Sequence, residues 1–322
     1  MNIPRSLRLL LRLSLMVALV HIVFGAFVRI SGSGMGCGDH WPRCAGAWFP
    51  PLDQPTLVIE WTHRLLALVL ITAITITAVA AWRARAVEGV GTKGGVLKPA
   101  LIALALVITT AFFGAITVWV GNTPAATVGH WILAASLLAT LVTALVRAGD
   151  FRGSVAGSGT AKLFRGSAAA MGLTLAVLIL GGLTAKVPSA NAVCPDFPLC
   201  PMVGLTQVIA KLVYIQMAHR VLAFLLFFHL FGLTMSSRKI KTAPAVVSAV
   251  RMAFALAVLQ VLVAGAMVGM HFPPAARSLH QMVGVVLWIQ VVIMTLLARR
   301  SAPAEAAVPP SIAVLVARGG GA

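Results

Sequence analysis

The stretch from Thr56 to Trp82 reads TLVIEWTHRLLALVLITAITITAVAAW. It opens with Glu60, His63 and Arg64 and then runs without a charged residue to Arg83. An apolar run of roughly 20 residues crosses the ~30 Å of a bilayer's hydrocarbon as a helix at ~1.5 Å per residue. Strands of a membrane barrel would show short alternating segments instead. The stretch is therefore a membrane helix with its chemistry-bearing residues gathered near one end.

Seven further spans are expected around it, so that the full set lies near 10–30, 56–82, 99–121, 127–147, 166–186, 207–235, 247–270 and 277–298. Composition agrees. Apolar residues make up 60% of the 322 positions and charged residues 10%, against about 25% charged in soluble domains. The net charge of +18 does not point to nucleic acid, because the cations sit in short loops between apolar spans rather than in a basic patch or arm. Arg5, Arg8 and Arg12, the 83–98 loop, the 147–165 segment, the 238–251 segment and Arg299–Arg300 share one side. The other side has scattered cations such as Arg43 and Arg277. The positive-inside rule then puts both termini in the cytoplasm and the 31–55 and 187–206 loops outside the cell membrane.

The chain repeats itself. Glu60-Trp-Thr-His63-Arg64 matches Gln216-Met-Ala-His219-Arg220, Cys37 and Cys44 match Cys194 and Cys200, and His130 matches His280. Gly25-Ala-Phe-Val-Arg29 precedes the first cysteine loop and Gly182-Leu-Thr-Ala-Lys186 the second. The first span is thus part of a repeat, not a cleaved signal peptide. The expected architecture is an all-α integral membrane protein, with eight transmembrane helices as two tandem, pseudo-symmetric four-helix bundles. Residues 1–150 form the first half, 151–165 a cytoplasmic linker, 166–300 the second half and 301–322 a disordered cytoplasmic tail rich in Ala, Pro and Gly.

Four histidines repeat: His63 and His130 in one half, His219 and His280 in the other. Two imidazoles at similar depth on facing helices can ligate one heme iron from both sides, a use that bundle cores commonly serve. A single intramembrane histidine is more simply a packing residue, but a duplicated pair favours ligation. His21, His40, His229 and His271 have no histidine at the matching place and read as structural or loop residues. Glu60 is the one acid of seven within or at the edge of a span. An ionisable group there is costly and a functional candidate. It lies on the face of His63, three residues on. Its plain alternative is an ion pair with Arg64. The second half keeps the arginine but carries Gln216, so an acid able to move a proton or stabilise positive charge belongs to one half alone. Arg64 and Arg220 suit heme propionates or snorkelling to the interface equally. The cysteine spacings permit one local disulfide per loop, Cys37–Cys44 and Cys194–Cys200, in an oxidising compartment. Zinc is the rival reading, although the spacings are not zinc-like. Trp41, Trp48 and Trp61 read as an interfacial belt.

Together these motifs, with Ser31-Gly-Ser-Gly34 and Cys37-Gly-Asp-His-Trp-Pro-Arg-Cys44, resemble the heme A synthase family over about residues 10–298. The resemblance is to the bacterial branch with two outer cysteine pairs. It implies that heme O, later heme A, is bound between His63 and His130 in the first half, and a heme b cofactor between His219 and His280 in the second. It implies Glu60 as the catalytic acidic residue and links Cys37 and Cys44 to catalysis. The implied reaction oxidises a ring methyl to a formyl group by successive hydroxylations, the second giving a hydrate that loses water. Implied partners are a heme O synthase, terminal oxidase assembly and an electron donor, besides membrane lipid. A diheme electron carrier without heme-modifying activity would use four histidines as well, but leaves Glu60 and the cysteine loops without a role. A prenyl transferase would need close carboxylates for magnesium diphosphate, and a heme exporter would not hold its cargo between paired histidines.

Overall fold

A computed structural model describes residues 3–151, 160–190, 193–200, 206–239 and 242–302. The greater part of the expected linker (152–159) and of the expected tail (303–322) lies outside the described residues, as do Arg152 and Lys241 among the topology-setting cations. The described residues form eight helices and no named strand: α1 (Arg5–Ile30), α2 (Pro55–Arg83), α3 (Leu97–Trp119), α4 (Pro124–Arg147), α5 (Ala161–Lys186), α6 (Gln207–Lys239), α7 (Pro244–Gly269) and α8 (Pro274–Ser301). All eight are long and apolar enough to cross a membrane, and the chain is a multi-pass membrane protein.

Each helix begins or ends a few residues beyond its apolar run. Proline stands in the first turn of α2, α4, α7 and α8, where its missing N–H breaks no helical hydrogen bond and its fixed φ favours the start. The apolar pattern places α4 near 127 and α8 near 277, whereas Pro124 and Pro274 start them a turn earlier. Similarly α5 starts at Ala161, capped by the Thr160 hydroxyl accepting from the Leu163 amide at 3.2 Å. Residues 161–165, expected in the linker, are therefore helical.

Within each half the neighbours close a ring: α1 packs on α2, α2 on α3, α3 on α4 and α4 on α1, and α5 to α8 repeat the pattern. Helix α8 also lies against α4 and α1, and α4 against α5, so these helices form the seam between the halves. At the seam Trp288 Nε1 donates to the Ala135 carbonyl at 2.9 Å, and one continuous core runs from Leu70 and Leu138 to Leu226 and Val291. The outward face of α1 exposes Leu9, Leu13, Met16 and Val20 at helical spacing, as a lipid-contacting surface should. Between α1 and α2 the Ser14 and Thr77 hydroxyls pair at 2.9 Å.

The repeat extends to backbone detail. The α3–α4 turn places Gly121 and Asn122 at positive φ, and the α7–α8 turn places His271 and Phe272 there. In both turns the second of these residues donates its N–H back across the helix end, Asn122 to Thr117 at 2.7 Å and Phe272 to Met267 at 2.8 Å. These turns sit at the same end as the two cysteine loops; Asn122 Nδ2 ties the first of them to the Gly34 carbonyl at 2.6 Å.

Candidate functional site

The two halves enclose one cavity of about 1290 Å³, reached by His63, His130, His219 and His280 together with His21 and Glu60. That exceeds the ~300–1,000 Å³ of an ordinary small-ligand site. His63 is within electrostatic reach of His130, and His280 of His219. All four expected histidines therefore line one cavity.

The imidazoles are held from behind by their neighbours' backbones. His219 Nδ1 lies 3.1 Å from the Val177 carbonyl on α5, and His130 Nδ1 lies 3.1 Å from the Thr110 carbonyl on α3. A ring whose Nδ1 faces a carbonyl presents Nε2 for coordination, the usual support of a metal-ligating histidine. His280 is held differently. The Gln260 amide nitrogen stands 3.2 and 3.3 Å from the two His280 ring nitrogens and donates to the His280 backbone carbonyl at 3.0 Å. His63 Nδ1 is buried without a partner. Room for a large planar ligand, four converging imidazoles and an orphaned ring nitrogen fit a heme-binding chain.

Glycines make space for two of these rings. A Cβ on Gly25 would stand 2.9 Å from His63 Cε1, and one on Gly181 would stand 2.9 Å from His219 Cε1. The counterpart of Gly25 is therefore Gly181, one residue before the glycine that the charge pattern suggests. Gly182 instead faces the Trp131 ring across the seam.

His21 is the residue that sequence reasoning missed. Its ring stacks on His63 with centroids 4.2 Å apart and planes 4° from parallel, and its Nδ1 is buried without a partner. In the repeat its place is taken by Val177, whose carbonyl holds His219. Lack of a histidine partner in the other half argued for a bland role, yet His21 lies one helical turn from Gly25 and so on the same face. That spacing was the available signal. The remaining three are elsewhere: His229 Nε2 bonds with the Gly166 carbonyl at 2.8 Å, His271 sits in the α7–α8 turn, and His40 lies beside Asp39 in the first cysteine loop.

Glu60 is buried, and both of its oxygens are engaged. Oε1 pairs with Arg64 Nη2 at 2.7 Å and Oε2 accepts the Cys37 amide at 2.8 Å. The ion pair weighed against a catalytic role is therefore present, and it lies on the cavity wall. In the second half Gln216, with its amide oxygen turned to Arg220, donates to the Ala190 carbonyl.

Both arginines hold a cysteine loop. Arg64 Nη1 donates to the carbonyls of His40 and Arg43 at 2.7 Å each, and Arg220 Nη1 to those of Asp196, Pro198 and Leu199 at 2.6–3.1 Å. Cys37 and Cys44, with Cα atoms 4.4 Å apart, are at disulfide distance, as are Cys194 and Cys200 at 5.0 Å. These pairings take up the four thiolates that the zinc alternative would need. Trp61 Nε1 donates to the Trp48 carbonyl at 2.9 Å, and Trp41 packs edge-on against Trp119.

The COX15-CtaA family model, described as cytochrome oxidase assembly protein, matches residues 8–292. Among curated relatives, a heme A synthase of Bacillus cereus is 27% identical over 291 residues, 88% of this chain and 90% of its own. A heme A synthase of Geobacillus kaustophilus is 28% identical over 221 residues, 68% of each chain. A third, from Bacillus anthracis, is 26% identical over 291 residues.

Proposed function

The chain belongs to the COX15-CtaA family of cytochrome oxidase assembly proteins, and on that premise we propose that it is a heme A synthase. The substrate is heme O, and the product is heme A for a terminal oxidase. The observation that carries this reading is the asymmetry between the halves. Both have a histidine pair, a cysteine loop and an arginine holding it, but only the first sets a carboxylate on the cavity wall beside its proximal histidine. A pure electron carrier has no use for that difference.

In this reading the first half is the reacting half. His63 and His130 would hold the substrate heme by its iron. Gly25 lets the His63 ring lie against the α1 backbone, which limits the tilt of the ligand. Glu60, one turn from His63 on the same face, places a carboxylate where positive charge develops as the methyl group is oxidised, or where a proton must be taken. Its link to the Cys37 amide joins that carboxylate to the Cys37–Cys44 loop, which gives the cysteine pair a positioning role in catalysis. The overall change, methyl to formyl, is a four-electron oxidation through a hydroxymethyl group and a hydrate that loses water. With dioxygen as the oxidant, each of the two hydroxylations would take two electrons and two protons from a donor and release one water.

The second half is the cofactor half. His219 and His280 would hold a heme b, which would supply electron transfer when bound. Gln216 replaces the carboxylate there and leaves only hydrogen bonding. Arg64 and Arg220 hold the two cysteine loops against the cavity. The cysteine loops face outward and both termini are cytoplasmic, following the cation distribution. A heme O synthase, the oxidase assembly machinery and an electron donor are the partners the reaction needs. The experiment that tests the proposal is conversion of heme O by the purified chain, followed by separation of the hemes by mass.

A further inference from the structure

Three cations line the cavity near its cysteine-loop end: Arg29 in the last turn of α1, Lys186 at the end of α5 and Arg277 in the first turn of α8. They are close enough to interact with one another through Arg29. Among the described residues, no carboxylate forms an ion pair with any of the three. Arg64 and Arg220, by contrast, direct their Nη groups to loop carbonyls. Like charges gathered in a largely apolar cavity without a carboxylate paired to them are costly, and the arrangement invites a ligand that brings negative charge.

Arg29 also crosses the seam. It belongs to the first half, yet its Nη2 donates to Gln281 Oε1 on α8 at 2.9 Å, and its guanidinium lies 5.7 Å from the centre of the Trp131 ring on α4. Its Nε is buried without a partner. Gln281 follows His280 directly. Arg277 stands three residues before His280, on the same helix face and about one turn (~5 Å) nearer the loop end. The repeat does not supply this charge twice, because the position matching Arg277 in the first half is Thr127. The cations thus gather around the second-half histidines, at the end where the polar edge of a ring would point.

We infer that Arg29, Lys186 and Arg277 form a carboxylate-binding site at the seam, filled by the propionates of the tetrapyrrole held between His219 and His280. Helix α1 of the reacting half then supplies part of the cofactor site of the other half. Guanidinium groups suit this task because they bind carboxylates through paired N–H donors. This inference rests on the bis-histidine reading of the second half.

The test compares iron protoporphyrin with its dimethyl ester, in which both carboxylates are blocked, on the full chain purified in detergent. The chain carrying Arg29→Gln should bind iron protoporphyrin about tenfold to a hundredfold more weakly than the unaltered chain, the usual worth of a charged hydrogen bond. With the dimethyl ester the two proteins should bind alike. The second-half heme of the variant should also have a lower midpoint potential, since removing a nearby cation favours the ferric state. Arg29→Lys should restore most of the affinity for the free acid. Equal binding of iron protoporphyrin by both proteins, or a loss that persists with the ester, would overturn the site. If His219→Ala leaves the bound heme and its spectrum unchanged, the bis-histidine reading itself has failed, whatever Arg29 does.

Discussion

The carboxylate of Glu60 accepts the backbone N–H of Cys37 at 2.8 Å. One oxygen thereby ties the membrane helix α2 to the cysteine loop, while Arg64 occupies the other at 2.7 Å. A change in the loop therefore reaches the Glu60 carboxylate both directly, through the Cys37 amide, and through Arg64, which also holds the His40 and Arg43 carbonyls.

Glu60→Gln separates charge from shape. The second half already carries Gln216 beside Arg220 at the matching positions, so the variant should fold and keep both hemes. Arg64 keeps its bonds to the His40 and Arg43 carbonyls. Oxidation of heme O should fall by about 10²-fold or more, the usual contribution of a placed acid or base. Normal turnover, measured by mass of the extracted hemes, would remove Glu60 from the mechanism.

Gly25→Ala and Gly181→Ala should act on one half each. The added methyl stands 2.9 Å from the Cε1 of His63 or His219, closer than packed carbon atoms tolerate, so the ring must shift. Gly181→Ala should reduce heme b occupancy and leave the substrate heme in place, and Gly25→Ala should do the converse. Heme stoichiometry after extraction checks both, and an equal loss from both halves would contradict independent sites.

Replacing Cys194 and Cys200 by Ala removes a closure between residues six apart. By chain entropy such a loop is worth about 2 kcal/mol, so the thermal midpoint should fall. The Arg220 bond to the Cys194 carbonyl at 3.1 Å should loosen with it. The same change at Cys37 and Cys44 should in addition lower turnover, because Glu60 is attached there. If turnover is kept after the second change, the loop does not position Glu60.

His219→Ala and His280→Ala should each lose heme b, and His63→Ala and His130→Ala should lose the substrate heme. Absorption spectra of the purified variants read this directly. Retention of heme b in both second-half variants would reassign that half.

Much of this arrangement was legible in the sequence because apolar length and a repeated His-Arg pair are strong local signals. The eight spans, the cysteine pairs and the cavity-lining histidines needed no tertiary information. What was not legible depends on contacts between helices. His21 stacks on His63 from another helix, and its one-turn spacing from Gly25 within α1 gains meaning only once Gly25 is seen to face the same ring. The register of the first repeat followed charge, Arg29 with Lys186, whereas packing pairs Gly25 with Gly181. Arg64 and Arg220 read as propionate ligands or snorkelling groups because the loop carbonyls that receive them lie more than twenty residues away. Helix starts were misplaced by a turn where a proline, rather than hydrophobicity, sets them.

The most direct measurement is separation and mass detection of the hemes extracted from the purified chain after expression in cells supplied with heme O. The account predicts heme A, or its hydroxylated precursor, together with heme b. Heme b alone, with heme O available, would contradict it and leave a diheme electron carrier in its place.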